Sequence, residues 1–353
     1  MKKMKFNCDY MEGVHPKILK RLVETNLEQT AGYGNDPYCA SAKKKILEAC
    51  ECPDGEVHFL VGGTQTNLTV ISSALRPHQC VIAAETGHIN VHETGAIEAC
   101  GHKVWAIPTE DGKLKAKQIW DAWESHAVNE SYEHMVQPKM VYISNPTEIG
   151  TIYSKQELED ISRTCKECGM YLFMDGARLA YALTAKENDL DLETIAQCCD
   201  VFYIGGTKVG ALFGEAVVIT NDTLKEDFRY IMKQKGGMLA KGRLLGIQFI
   251  GLLKNDLYFQ LGDHANKMAM KLKKALQEAG FDFLVDSPTN QQFPILPDCI
   301  LKEIGKEYTY SYQERIDEKH SAVRFCTSWA TKEEDIDNLI RAFQKIVEQN
   351  RYV

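Results

Sequence analysis

Tyr171-Leu172-Phe173-Met174-Asp175-Gly176-Ala177-Arg178 sets four apolar residues directly against a carboxylate, a glycine and a guanidinium. An apolar run without polar alternation is the pattern of a strand buried on both faces, as in a parallel sheet covered by helices. Immediately upstream, Ser154-Lys155-Gln156-Glu157 is a capping box that opens a helix, and Gly169 closes it. Downstream, Val201-Phe202-Tyr203-Ile204 repeats the doubly buried pattern and runs into Gly205-Gly206-Thr207-Lys208. Working back toward the start, strands are expected at 57–61, 81–84, 104–107 and 140–144. Helices are expected at 66–75, at 91–99 and through Ile119 and Trp123. This βαβα order predicts an α/β fold with a mostly parallel central sheet and helices on both faces. In such a fold the site lies beyond the carboxyl ends of the strands.

After about residue 245 the rhythm changes. Helical stretches at 268–276 and 336–347 flank strands near 281–285 and 323–326, and Thr331-Lys332-Glu333-Glu334 reads as a second capping box. The expectation is a large domain over 15–245 and a smaller α/β C-terminal domain over 246–353, completed by residues 1–14.

The chain has 353 residues, 44% of them apolar, enough for a sizeable core. Its 41 Lys+Arg against 49 Asp+Glu give a net charge of −8, which argues against nucleic-acid or anionic-lipid binding by bulk charge. No apolar run approaches membrane-spanning length. The basic start Met1-Lys2-Lys3-Met4-Lys5 continues into Asn7-Cys8-Asp9-Tyr10 rather than an apolar signal core, so the protein is expected to be cytoplasmic. Twelve scattered cysteines fit free, mostly buried thiols. Cys165-Lys166-Glu167-Cys168 lacks the second pair of a zinc ribbon, and no HExxH pattern occurs, so no metal is expected.

Three strand-end motifs carry chemistry. Gly62-Gly63-Thr64-Gln65-Thr66-Asn67 lies between a strand and a helix, where glycine backbone N–H groups and a hydroxyl meet the positive end of the helix dipole; this suits a phosphate. Asp175 ends an apolar strand and must be paired or bind something, Arg178 being one internal choice. Lys208 ends another strand, where partly apolar surroundings favour the neutral, nucleophilic amine. Singly, each admits a plain structural explanation: a tight turn, an ion pair, a solvated lysine.

In this order and spacing, the three motifs resemble fold-type I pyridoxal-phosphate (PLP) enzymes. The wording Gly63-Thr64-x-x-Asn67, Gly87-His88, Asp175-Gly176-Ala177-Arg178 and Gly206-Thr207-Lys208 resembles the threonine aldolase and β-eliminating lyase family over nearly the whole chain. The resemblance implies a Lys208 aldimine with the cofactor, Asp175 on the pyridine nitrogen, Arg178 near the phenolic oxygen, and Gly63 and Thr64 on the phosphate. It implies His88 stacked on the ring and able to move protons, and Arg324 clamping the substrate carboxylate, with Glu93, Asp9 and Tyr33 near the substrate. It implies cleavage of L-threonine or L-allo-threonine to glycine and acetaldehyde, in a homodimer or homotetramer with interfacial sites. In Ser144-Asn145-Pro146-Thr147-Glu148, Thr147 is expected in the place of a family histidine that contacts the substrate hydroxyl. A hydroxyl is a poor proton acceptor, which keeps β-elimination, racemisation and amino transfer as alternatives. Leu239 also replaces a family arginine after Gly236-Gly237-Met238, leaving Lys235, Lys241 or Arg243 to supply charge to a neighbouring subunit.

Overall fold

The computed structural model describes residues 3–350. Its centre is a seven-stranded sheet of β1 (Glu56–Leu60), β2 (Gln79–Ala84), β3 (Lys103–Ile107), β4 (Gln137–Ser144), β5 (Tyr171–Asp175), β6 (Val201–Gly205) and β7 (Glu215–Ile219), in the order β1-β7-β6-β5-β4-β2-β3. All neighbours pair in parallel except β7, which runs antiparallel to β1 and β6. The sequence-based expectation lacked β7. Loop 206–214 between it and β6 is too short for a crossover helix, so the chain must return antiparallel.

Successive residues of the strands point to opposite faces, and each face has its own core. Val141, Ile143, Leu172, Met174, Phe202 and Ile204 bury against the helices Pro37–Ala49, Lys155–Glu167 and Arg243–Leu253. Met140, Tyr142, Phe173, Tyr203, Val217 and Ile219 bury against Gly63–Ala74 and Phe228–Gln234. The Ser154 capping box forms as expected, and Gly169 follows that helix at φ +64°. The middle of Arg243–Leu253 lies against Pro37–Ala49 so closely that a Cβ at Gly246 would come within 2.5 Å of the Cys39 nitrogen.

A third core joins the chain ends. His320–Cys326 pairs antiparallel with Ile295–Pro297, Ser311–Arg315 and Gln291–Gln292, and Met4–Lys5 adds in parallel to Tyr308–Thr309, burying Phe6 with Phe325 and Phe343. The division expected at residue 245 falls inside Arg243–Leu253, whose Leu245, Phe249 and Leu252 belong to the large core. Helix Leu257–Glu278 carries Leu261 and Ala265 in that core and Leu272 and Leu276 in the third.

Three local expectations are corrected. The stretch 91–99 is two single turns, His88–Val91 and Ala96–Ala99, because Thr94 and Gly95 take φ +54° and +68°, which a right-handed helix cannot accommodate. At 281–285 there is only an isolated bridge between Phe283 and Pro294; proline has no N–H with which to extend a ladder. The Thr331 hydroxyl turns back to accept the Ser328 N–H instead of capping the final helix. Among the described residues no helix is long and apolar enough to cross a membrane, and all twelve cysteines are free.

One ion pair ties the N-terminal segment to the end of β5. Asp9 receives Arg178 Nε at 2.7 Å and Nη2 at 3.0 Å, and Asn290 Nδ2 at 2.9 Å. Burial alone would raise the Asp9 pKa, but the charges of Arg178 and Lys208 outweigh it and hold it at about 2. The folded value lies below the unfolded one of about 3.9, so the stabilisation is complete above that pH and is lost as pH falls through the folded pKa. Asp9→Asn should therefore cost roughly 3–5 kcal/mol in urea unfolding at pH 7, the gap to wild type closing as pH falls below about 4.

Candidate active site

The carboxyl ends of the parallel strands and the start of antiparallel β7 all meet one edge of the sheet, and there they enclose a cavity of ≈ 280 Å³. Gly62, Gly63 and Thr64 reach it from β1, His88 from β2, Ser144 and Glu148 from β4, Asp175 and Arg178 from β5, Lys208 from β6 and Glu215 from β7. Six residues singled out in the sequence therefore line one cavity: Gly63, Thr64, His88, Asp175, Arg178 and Lys208.

At one end, helix Gly63–Ala74 begins with no side-chain cap, leaving its first N–H groups available to an anion. The Tyr203 hydroxyl, 3.2 Å from where a Gly63 Cβ would sit, is buried near Asp175.

At the other end, Asp175 is buried but well supplied with donors. Tyr142 Oη gives a bond of 2.6 Å and Asn67 Nδ2 one of 3.1 Å to Oδ2, and the Ala177 N–H one of 2.9 Å to Oδ1. Burial pushes its pKa up; the positive charge of His88 and these donors more than reverse that, so the carboxylate stays ionised. Gly176 makes the turn possible, because a Cβ there would overlap the Tyr203 carbonyl oxygen at 1.9 Å. Asn67 Nδ2 also binds Glu93 Oε1 at 2.7 Å, and Glu93 Oε1 holds His88 Nδ1 at 2.8 Å. Asp175, Asn67, Glu93 and His88 thus form one connected chain.

Burial and the nearby Arg178 charge lower the Lys208 pKa, against the pull of Asp9, Asp175 and Glu215. Beside it, Glu215 accepts the Gly206 N–H at 3.1 Å and the Thr207 hydroxyl at 2.7 Å, and burial raises its pKa to about 8.

The other sequence candidates stand elsewhere. Thr147 is turned away from the cavity, its hydroxyl 2.6 Å from that of Thr151 and packed toward Gly112; the next residue, Glu148, points inward in its place. Asp9 is fully buried behind Arg178 and positions that guanidinium rather than facing the cavity. Glu93 is likewise buried behind His88. Arg324 donates to Gln291 Oε1 and the Asn7 carbonyl, both at 3.0 Å, with Nε unpartnered. Burial first, then the nearby His88, Arg324, Arg178 and Lys208, lower the His92 pKa. Tyr33 is 44% exposed in a separate cleft with Arg229 and Lys233, the Lys233 ammonium 4.6 Å from its ring centroid. Sequence reasoning missed Glu148, Glu215, Tyr142 and Tyr203. An acid opening the wholly apolar run Ala216-Val217-Val218-Ile219 is a signal that could have found Glu215.

The beta-eliminating lyase family model matches residues 6–298. A low specificity L-threonine aldolase of Pseudomonas aeruginosa is 31% identical over 97% of both chains. The solved structure of a Leishmania major threonine aldolase superposes with a TM-score of 0.95 at 50% identity, covering 98% of this chain and 99% of that one. An aspartate aminotransferase of Thermus thermophilus shares the fold at 14% identity, with a TM-score of 0.72 over 98% of this chain and 91% of that one. With the sheet order, the strand-end cavity and these likenesses in agreement, the chain belongs to the threonine aldolase and β-eliminating lyase family of fold-type I enzymes.

Proposed function

We propose that the protein is a PLP-dependent aldolase that cleaves the Cα–Cβ bond of a β-hydroxy-α-amino acid, L-threonine or L-allo-threonine, to glycine and acetaldehyde. The observation that carries this reading is the meeting of an uncapped Gly-Gly helix start, an ionised Asp175 and an amine-favouring Lys208 in one small cavity.

The cavity suits the cofactor. Gly62 and Gly63 leave backbone N–H groups open to a phosphate, and Thr64 adds a hydroxyl. The Tyr203 hydroxyl, buried beside Gly63 and near Asp175, is a further polar group that a ligand can engage. Lys208 is the residue to bind the aldehyde carbon, Asp175 the one to hold a pyridine N–H, and Arg178 the one to face the phenolic oxygen. When bound, PLP supplies an electron sink for the pair left on Cα.

The protein's part is binding and proton handling. Lys208, its charge made less favourable by burial and by Arg178, gives up its proton more readily than a surface lysine. Asp175 is kept ionised by donors that do not move, so it can hold a proton on a ring nitrogen at neutral pH. His88, fixed through Nδ1 by Glu93, presents its ring to the cavity. Arg324 lies outside the cavity lining, its terminal nitrogens held by Gln291 and Asn7, and the family resemblance alone makes it the candidate for the substrate carboxylate. Elimination, racemisation and amino transfer were kept open because Thr147 takes the place of a family histidine; its hydroxyl is engaged by Thr151 and does not line the cavity, so it lends those reactions no support.

We also infer a homodimer, or a tetramer of such dimers, with Tyr33 serving the site of a second copy. Among the earlier cation candidates, Arg243 is tied to the Asn26 and Glu28 carbonyls and Lys235 lies 3.3 Å from Cys100 Sγ. Lys241 is exposed, and Arg229 and Lys233 flank Tyr33. Free thiols throughout suit a cytoplasmic enzyme.

The protein purified with PLP should show a visible absorption band, and L-threonine or L-allo-threonine should release glycine and acetaldehyde; a band without aldehyde would overturn the aldolase assignment. Lys208→Ala should abolish both the covalent band and turnover. Asp175→Asn should retain the fold yet lower kcat/KM roughly 10²–10⁴-fold, the scale of losing one partner of a buried charge pair.

A further inference from the structure

We propose that Glu148 is the catalytic residue that takes the proton from the substrate's β-hydroxyl. The inference rests on the aldolase reading and names the base that reading leaves open.

The two carboxyl oxygens of Glu148 are in different situations. Oε1 is anchored, accepting the Ser144 hydroxyl at 2.6 Å and the backbone N–H of His88 at 2.9 Å. The donors come from the ends of two neighbouring strands, β4 and β2, so the carboxyl group cannot swing without breaking both. No other residue bonds Oε2, the Glu148 backbone N–H lying near the carboxyl group, and the side chain lines the cavity. An oriented carboxylate with one bound oxygen and one free oxygen is the arrangement a general base needs.

Asp175 is held by three donors and Glu215 uses both oxygens on Gly206 and Thr207, while His88, fixed through Nδ1 by Glu93, keeps Nε2 for stacking and proton transfer at the ring. The groups facing Glu148 are Asp175, Tyr142, Tyr153, Ser144 and His88. Burial and then, against the Ser144 hydroxyl, the Asp175 charge raise the Glu148 pKa above the usual carboxylate range, making it a stronger base than a surface glutamate.

The step balances. The β-hydroxyl O–H bond breaks toward Oε2, and its electron pair becomes the second bond of the departing aldehyde carbonyl. The Cα–Cβ pair stays on Cα, which regains one proton to give glycine. No oxidant or reductant is required.

Glu148→Gln keeps the size and the anchoring contacts of Oε1 while removing the base. With the variant loaded with PLP, cleavage of L-threonine should fall about 10²–10⁴-fold in kcat. Exchange of the glycine α-hydrogen with D2O, which needs no β-hydroxyl deprotonation, should persist within a few-fold. The acid limb of the wild-type kcat/KM profile should vanish in Glu148→Gln. It should move to higher pH in Ser144→Ala, which removes a donor that favours the ionised form. Infrared difference spectra of wild type against Glu148→Gln, both without PLP, should show a carboxyl group titrating above the ordinary glutamate range. Cleavage within a few-fold of wild type, or equal loss of cleavage and glycine exchange, would overturn the assignment to Glu148. Failure of the wild-type protein to cleave any β-hydroxy amino acid would instead overturn the aldolase reading.

Discussion

The burial of a negative charge at the carboxyl end of β5 is the constraint around which this molecule is arranged. An ionised carboxylate away from water is costly unless donors and opposite charge surround it. Here Asp175 receives Tyr142 from the adjacent β4, Asn67 from the helix after β1, and the N–H of Ala177 from its own turn. Those three donors reach one atom pair only if β4 and β5 are in register and helix Gly63–Ala74 lies against that face of the sheet. Gly176 is needed because the chain turns against the Tyr203 carbonyl with no room for a side chain. The sheet order, the helix placement and the turn are thus coupled to keeping one oxygen pair charged.

The same edge holds other buried carboxyl groups in different states. Asp9 is driven down by Arg178, while Glu148 and Glu215 are driven up by burial. Identical chemistry is separated by neighbours: a guanidinium beside one, a carboxylate near another, hydroxyl and amide donors around the rest. On the proposed reading, a site that would both keep a ring nitrogen protonated and accept a hydroxyl proton needs carboxyl groups that do not titrate together. The Asp9 pair has a second consequence. By tying the N-terminal segment to Arg178 while Asn290 holds Asp9 from the C-terminal part, it fixes the small core relative to the sheet edge.

Much of this was legible in order along the chain. The apolar runs 171–174 and 201–204 dictated doubly buried strands, since no half-exposed strand keeps four apolar residues in a row; the residue after such a run sits at the sheet's edge. Asp175, Lys208, Gly63 and Thr64 could thus be singled out at strand ends, Arg178 beside Asp175, while His88 entered through the family resemblance; all six line the one cavity. β7 was not read from the sequence at all, and its direction is not legible there, because Glu215-Ala216-Val217-Val218-Ile219 reads the same in either orientation and only the length of the loop forces its return.

What the sequence by itself determined was the alternation of strands and helices and the motifs at the strand ends, because periodicity and spacing are local properties of a chain; the family came from the likeness of those motifs to known ones. What only the tertiary structure decided was which side chain in each loop faces the cavity. Thr147 and Glu148 are neighbours, and the register of the turn after β4 sends the first toward Thr151 and the second inward. Likewise Asp9 and Glu93 support Arg178 and His88 from behind. Direction depends on contacts between residues far apart in sequence, as with Asp9 and Asn290, and no local pattern encodes those.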